Sequence, residues 1–231
     1  MLHGRLGVAF FLLPLTAAFQ DRDTPMKRDQ TTPACFPNNE IVAEPNNVLS
    51  FPLPWARPPQ LAQPLCITPK IFRDARGSFT KTWHPDLLET HGITMTIAEE
   101  FYSVSDLGVL RGMHLQLPPY DYEKLVYCVA GSVLDVLLDL RLGSPTYGQT
   151  WSWELSPENG AILYIPKGIA HGFLSLAADS VMVYKTSIVY SPEHDTGVLW
   201  DSFGFNWPVQ KPTLSERDQK FSSLFDFVSP F

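Results

Sequence analysis

From Leu65 onward short apolar runs alternate with turn residues, and little of the chain carries a helical period. Cys66-Ile67-Thr68 and Lys70-Ile71-Phe72-Arg73 read as short strands, Asp74-Ala75-Arg76-Gly77 as a turn, and Ser78 to Trp83 as a strand. Pro85 to His91 predicts one short helix, with Pro in its first turn and Gly92 just past its end. Then come Ile93 to Ser103, Val109 to Gln116, Lys124 to Val129, Ser132 to Leu140, Thr150 to Leu155, Ala161 to Ile165, Gly172 to Leu176 and Ser180 to Val189, all with strand character. Many short strands at roughly even spacing predict an all-β sandwich or small barrel. Val129-Ala130-Gly131-Ser132 reads as a hairpin turn. In Val133 to Asp139 the period of two puts Asp135 and Asp139 on one face and Leu134, Val136 and Leu138 on the other.

The residues ahead of this region lack either period. Residues 21–60 are polar and then Pro-rich, which suits a linker or arm. Leu6 to Phe19 is apolar behind Arg5 and falls short of the roughly 20 apolar residues that span a bilayer. It resembles a secretory signal, or an unstructured extension ahead of a start nearer Met26. The chain therefore divides into a disordered extension, 1–60, and a folded domain, 61–231. Its 231 residues, 45% hydrophobic, suffice for one packed domain. The 21 Pro and 14 Gly fit a turn-rich β fold with few helices, all of them short. A net charge of −7 argues against nucleic acid or an anionic membrane as the main partner. A phosphate-bearing small molecule needs only a few local cations and stays open. Cys35, Cys66 and Cys128 form no CxxC and read as free thiols in a reducing compartment.

Gly160 to His171 carries Gly, five residues, Pro, one residue, Gly, two residues and His. This resembles the second cupin motif, so the expected fold is a cupin-type double-stranded β-helix, or jelly roll. A metal-binding cupin needs His-x-His with a carboxylate on an earlier strand. The matching place reads His114-Leu115-Gln116, and only six His exist. We therefore expect no metal. Two barrel His without metal suggest acid/base work near neutral pH. Lys124, opening the next strand, could stabilise the enolate formed when a proton leaves carbon beside a ketone. An Asp facing an apolar interior commonly orients a His. Tyr184 or Tyr190 could donate a proton or stack on a ring. Structural readings exist too: His171 as a bonded core His, Asp135 and Asp139 paired with Arg141 or capping a turn, Tyr184 as core. Arg111 and His114 lie three apart, so a regular strand would separate them unless it bulges near Gly112 or Arg111 works at the rim.

Asp74 to Phe79, Val109 to His114, Lys124 to Val126, Gly131 to Asp139, Arg141 to Gly148, Ile165 to Phe173 and Tyr184 to Pro192 together resemble the dTDP-4-dehydrorhamnose 3,5-epimerase family. The likeness runs from about Ile67 to Asp218. It implies a cofactor-free jelly-roll homodimer acting on a nucleotide-diphospho-sugar. It implies His114 as the base beside the C4 ketone, Asp218 as its partner, Lys124 at the enolate oxygen and Tyr184 as the acid. Asp135 and His171 would line the sugar site. Arg76 and Arg111 would contact the diphosphate, Tyr190 would stack near the base, and Lys81, Asp195 and Arg217 would complete the substrate-binding set. Three places depart from the family pattern. Lys81 stands where Glu is usual, Glu99-Glu100-Phe101 replaces a Gln-Asp-Asn-like run, and Asp195 replaces Glu. These belong to recognition, so a different nucleotide or sugar, or epimerisation at one carbon, is compatible with the resemblance.

Two rival readings carry their own tests. A non-catalytic nucleotide-sugar-binding cupin would bind without solvent exchange, and a metal-dependent cupin enzyme would hold stoichiometric metal. Nucleotide-sugar chemistry points to the cytoplasm and to no stable membrane insertion, against the secretory reading of Leu6 to Phe19.

Overall fold

The computed structural model describes residues 63–231. The readings made on residues 1–60, and on Cys35, lie outside them. In chain order the strands are β1 (Leu65–Ile67), β2 (Ile71–Asp74), β3 (Gly77–Thr80), β4 (Glu99–Ser105), β5 (Leu110–Gln116), β6 (Lys124–Ala130), β7 (Val133–Asp139), β8 (Thr150–Leu155), β9 (Ile162–Ile165), β10 (Ile169–Ser175), β11 (Ser180–Thr186) and β12 (Asp195–Gly197). One helix, α1 (Pro85–Glu89), and a 3-10 turn (Asp218–Lys220) complete the set. Two five-stranded antiparallel sheets, ordered β1-β9-β6-β11-β4 and β12-β5-β10-β7-β8, make the cupin jelly roll. The hairpin β2-β3 stands as a separate two-stranded sheet.

The apolar pattern explains the layering. Val126, Leu163 and Met182 of the first sheet meet Val133, Leu137 and Phe173 of the second in one inner cluster. The central strands are buried on both faces, so they read as continuous apolar runs. Leu125, Tyr127 and Ile162 on the first sheet's outer face pack against Leu88 of α1 and Met95. Val136, Leu138 and Ala170 on the second sheet's outer face are covered by the C-terminal tail, through Phe203, Trp207 and Phe231. Each fully buried large aliphatic side chain contributes roughly 1.5–3 kcal/mol.

Several expectations need correction. Val129 to Ser132 is a corner and not a hairpin, because β6 and β7 belong to different sheets. Gly131 makes that corner at φ +70°, against Ser180, where a Cβ would collide. The strand expected from Ile93 begins only at Glu99; the residues before it are irregular, and Met95 is buried there without pairing. The late strand stops at Thr186, where Ser187 N donates to the Glu123 carbonyl and its Oγ accepts from Glu123 N. Cys66 is disulfide-bonded rather than a free thiol, while Cys128 is free and buried. Spacing along the chain says nothing about pairing between distant segments. Among the described residues no helix is long and apolar enough to cross a membrane.

Candidate functional site

The polar residues of the inner layer come from both sheets. Lys124 on β6 pairs with Ile165, and Tyr184 on β11 belongs to the inner cluster, so both face inward from the first sheet. His114 on β5 pairs with His171 on β10, and Asp135 on β7 pairs with Phe173. The base expected on β5 and the phenol expected on β11 therefore stand on opposite walls.

β5 solves the spacing of Arg111 and His114 by bulging. Arg111 pairs with Phe173 and His114 with His171, leaving Gly112 and Met113 opposite Gly172 alone. Phe173 and His171 share the inner face, so their partners do too. Gly112 sits at φ +143°, and a Cβ there would run into Gly172. Its N–H donates to Asp218 Oδ2 at 3.1 Å.

His114 Nε2 lies 2.9 Å from Asp218 Oδ1. Asp218 is buried on the 3-10 turn, and its own N–H donates to Ser215 Oγ. Burial opposes its ionisation, but the bonds from His114, Gly112 and Ser215 outweigh burial and hold the carboxyl well below the usual range. Burial also lowers the proton affinity of His114; Asp218 opposes this and Arg217 and Lys124 add to it, with a net decrease. A neutral imidazole carries the lone pair that a general base needs.

Lys124 Nζ donates to the His114 carbonyl at 3.2 Å and stands 4.8 Å over the half-buried Tyr122 ring. Burial pushes its ammonium down to about 8, with Asp195 and Asp135 pulling the other way. His171 Nε2 and Asp135 Oδ2 lie 2.8 Å apart, both buried. Asp135 Oδ1 has no hydrogen-bond partner among the described residues. Burial raises the Asp135 carboxyl, against the pull of His171 and Lys124. The Tyr184 hydroxyl bonds Ser103 Oγ at 3.1 Å, and its ring stacks on Phe101. Burial raises the phenol above its ordinary value, so it stays protonated and able to donate.

A polar chain leads outward from this set. Arg217 contacts His114, Asp218 and Asp195, and the Tyr190 hydroxyl reaches Asp195 Oδ2 at 3.3 Å. Half-exposed Tyr190 sits at its outer end. Arg111 spends its guanidinium on β4, donating to Ser105 Oγ and the Val104 carbonyl, both at 3.0 Å. Arg76 and Lys81 are not brought to these residues. Arg76 projects from β2-β3, 90% exposed, and pairs with Asp74; Lys81 is exposed just past β3. Asp139 pairs with Arg141 Nη2 at 2.8 Å and caps the following turn through Ser144 and Thr146, which is its structural reading. Among the described residues no group of three or more His, Cys, Asp or Glu is placed to hold a metal ion.

Three residues of the site went unread in the sequence. Ser103 and Tyr122 touch Tyr184 and Lys124, which only cross-strand geometry shows. Gln116 was legible, because alternation puts it on the His114 side of β5. It is buried, donates from Nε2 to the Tyr120 carbonyl at 2.8 Å, and accepts from Ser191 N at 2.6 Å. It thus ties the loop leading to Lys124 to the loop after Tyr190. Gln116→Leu should strand both backbone groups and destabilise the fold by about 1–3 kcal/mol for each group left unpaired. Urea denaturation checks this; an unchanged midpoint would show that the loops hold without the strut.

The family model described as dTDP-4-dehydrorhamnose 3,5-epimerase matches residues 59–226. The dTDP-4-dehydrorhamnose 3,5-epimerase of Sinorhizobium fredii is 41% identical over 175 residues, which cover 74% of this chain and 90% of that protein. The crystal structure of the Bacillus anthracis enzyme with TDP and pyrophosphate bound superposes with a TM-score of 0.68 at 38% identity, covering 70% of this chain and 94% of that one. The Legionella pneumophila enzyme in complex with dTDP-4-keto-L-rhamnose gives a TM-score of 0.69 at 37% identity, covering 73% and 92%. The bulged β5, the inward-facing residues of both walls and these matches agree, and the chain belongs to the dTDP-4-dehydrorhamnose 3,5-epimerase family.

Proposed function

We propose that this isomerase inverts the carbons flanking the C4 ketone of a dTDP-linked 4-keto-6-deoxyhexose, in deoxysugar biosynthesis. His114 takes the proton from the carbon beside the ketone. The C–H electron pair moves into an enolate, whose oxygen faces the Lys124 ammonium. Tyr184 returns a proton to the other face, which inverts the centre. Both groups then exchange protons with solvent, resetting the pair without a cofactor. The observation that carries this reading is the placement of His114 and Tyr184 on opposite walls of one inner layer. Asp135 Oδ1 is an acceptor left for a sugar hydroxyl. The ligand in the Legionella relative supports the choice of substrate.

Product analysis tests the proposal. The protein is incubated with dTDP-4-keto-6-deoxyglucose, the ketone is reduced with borohydride, and the sugar is released. L-Rhamnose and 6-deoxy-L-talose are expected from double inversion, and a C3- or C5-epimer alone from single-site action. Only quinovose and fucose of the D series would refute it.

The charges set a pH profile. His114 must be neutral, and burial lowers its pKa from the ordinary imidazole value, so the acidic limb of the profile should lie below that of a free imidazole. Lys124 must be charged, so kcat/KM should fall as pH rises through about 8. Lys124→Met should lose the basic limb along with most of its rate. A wild-type profile flat through that region would contradict the role of Lys124.

The catalytic segment is 61–231, and its natural state is a homodimer. Phe72 and Phe79 stand 49% and 60% exposed on the hairpin that carries Arg76, which suits a hairpin reaching a second copy's site. Sedimentation equilibrium should report a dimer; a monomer with full activity would contradict this. The substrate places the enzyme in the cytoplasm, although the Cys66 disulfide is a feature of oxidising compartments. Mass spectrometry of the native N-terminus decides, since cleavage near Ala18 would put it in the secretory route.

A further inference from the structure

One nitrogen of the base has two claimants. Arg217 Nη2 lies 2.8 Å from His114 Nε2, and Asp218 Oδ1 lies 2.9 Å from the same atom. A guanidinium can only donate and a carboxylate can only accept. If Nε2 accepts from Arg217, the ring proton of neutral His114 is on Nδ1. If Nε2–H donates to Asp218, Nδ1 carries the lone pair. The two bonds exclude each other while the ring is neutral. Nδ1 has no hydrogen-bond partner among the described residues, so it is the nitrogen left to meet a substrate.

Arg217 can leave. Its side chain is 49% exposed, and its other contacts are Asp195, Asp218 Oδ1 at 3.2 Å, the Tyr190 hydroxyl and the face of Phe221 at 5.6 Å. Asp218 cannot, being buried and pinned by Gly112 N and by the 3-10 turn. A diphosphate offers a guanidinium a bidentate partner of higher charge than an imidazole nitrogen. His114 also has Lys124 at its carbonyl, the edge of Phe221 against its ring, and His171 and Gly197 opposite it on the neighbouring strands.

We propose that Arg217 is a positioning residue that selects the tautomer of His114. In the empty site its bond to Nε2 puts the proton on Nδ1 and silences the base. The diphosphate of a bound nucleotide sugar draws Arg217 off, Nε2–H turns to Asp218, and Nδ1 is freed to take the proton. A base that works only under a nucleotide would leave free ketones untouched. The idea rests on the epimerase reading above and goes beyond it.

The test is 15N NMR of the full chain labelled in its histidines, at about pH 7.5, where an unperturbed imidazole is mostly neutral. His114→Gln assigns the resonance. dTDP alone is the probe, and calorimetry reads its binding. The expected result is an Nδ1–H tautomer in the free protein and an Nε2–H tautomer with saturating dTDP. Arg217→Met should show Nε2–H with and without dTDP, bind dTDP more weakly and raise KM more than it lowers kcat. Arg217→Lys, which keeps the charge but not the fork, is the second variant if Met disturbs folding, and should respond only in part. An Nε2–H tautomer in the free wild type, no change with dTDP, or no dTDP binding would each overturn the proposal. Normal inversion of the sugar with an unresponsive tautomer would sink only this inference; absent inversion would sink the epimerase reading itself.

Discussion

His114→Ala should keep its fold and lose about 10²–10⁴-fold in kcat, the usual worth of a positioned general base. The half-buried ring is no part of the inner apolar cluster, so its loss leaves little void. The larger structural effect falls on Asp218, which keeps Gly112 N and Arg217 but loses its imidazole. The linkage sign is definite. The Asp218 pKa is depressed, so its pairing stabilises the protein above the unfolded value of 3.8, and that contribution is lost as pH falls. In the Ala variant the contribution shrinks, and the acid midpoint of unfolding should move up. Stopped-time turnover assays and acid titration by circular dichroism read the two effects separately. A variant with wild-type turnover would mean that another group removes the proton.

Gly112→Ala should do the reverse, harming the fold first and activity through it. Backbone at φ +143° suits glycine, and the added methyl would run into Gly172 across the strand pair. Strain and overpacking each cost about 1–3 kcal/mol, and together they take a large share of an ordinary domain's 5–15 kcal/mol. Relief would come by straightening the bulge, which turns either Arg111 or His114 off the inner face. Denaturant unfolding should show the loss, and the folded fraction should have a lower kcat. Wild-type stability and turnover in this variant would show that the bulge is dispensable.

The sequence made the strand content legible because alternation is local. Thr150 to Leu155 and Val133 to Asp139 follow directly from a period of two, and Asp135 facing an apolar interior already asked for a partner such as His171. What alternation cannot carry is the third dimension. Val129 to Ser132 has hairpin chemistry, yet its flanks join different sheets, since only tertiary packing decides which strand lies alongside. Met95 is apolar because it plugs the outer cluster from an irregular segment. Asp195 to Gly197 is too short to announce itself as a strand. Arg217 reaches His114 across more than a hundred residues, and no local pattern encodes that. The conflict between Arg111 and His114 was visible beforehand, and Gly112 was the residue that could resolve it. Local rules failed there because the strand is bent to bring both side chains to one site.

The most direct measurement is proton exchange during turnover. The wild-type protein is incubated with dTDP-4-keto-6-deoxyglucose in D2O and followed by 1H NMR. The account predicts that the H3 and H5 signals, or one of them for single-site action, disappear at a rate at least equal to inversion, and that His114→Ala abolishes the loss. Inversion with retention of both protons, or a bound nucleotide sugar that exchanges neither, would contradict it.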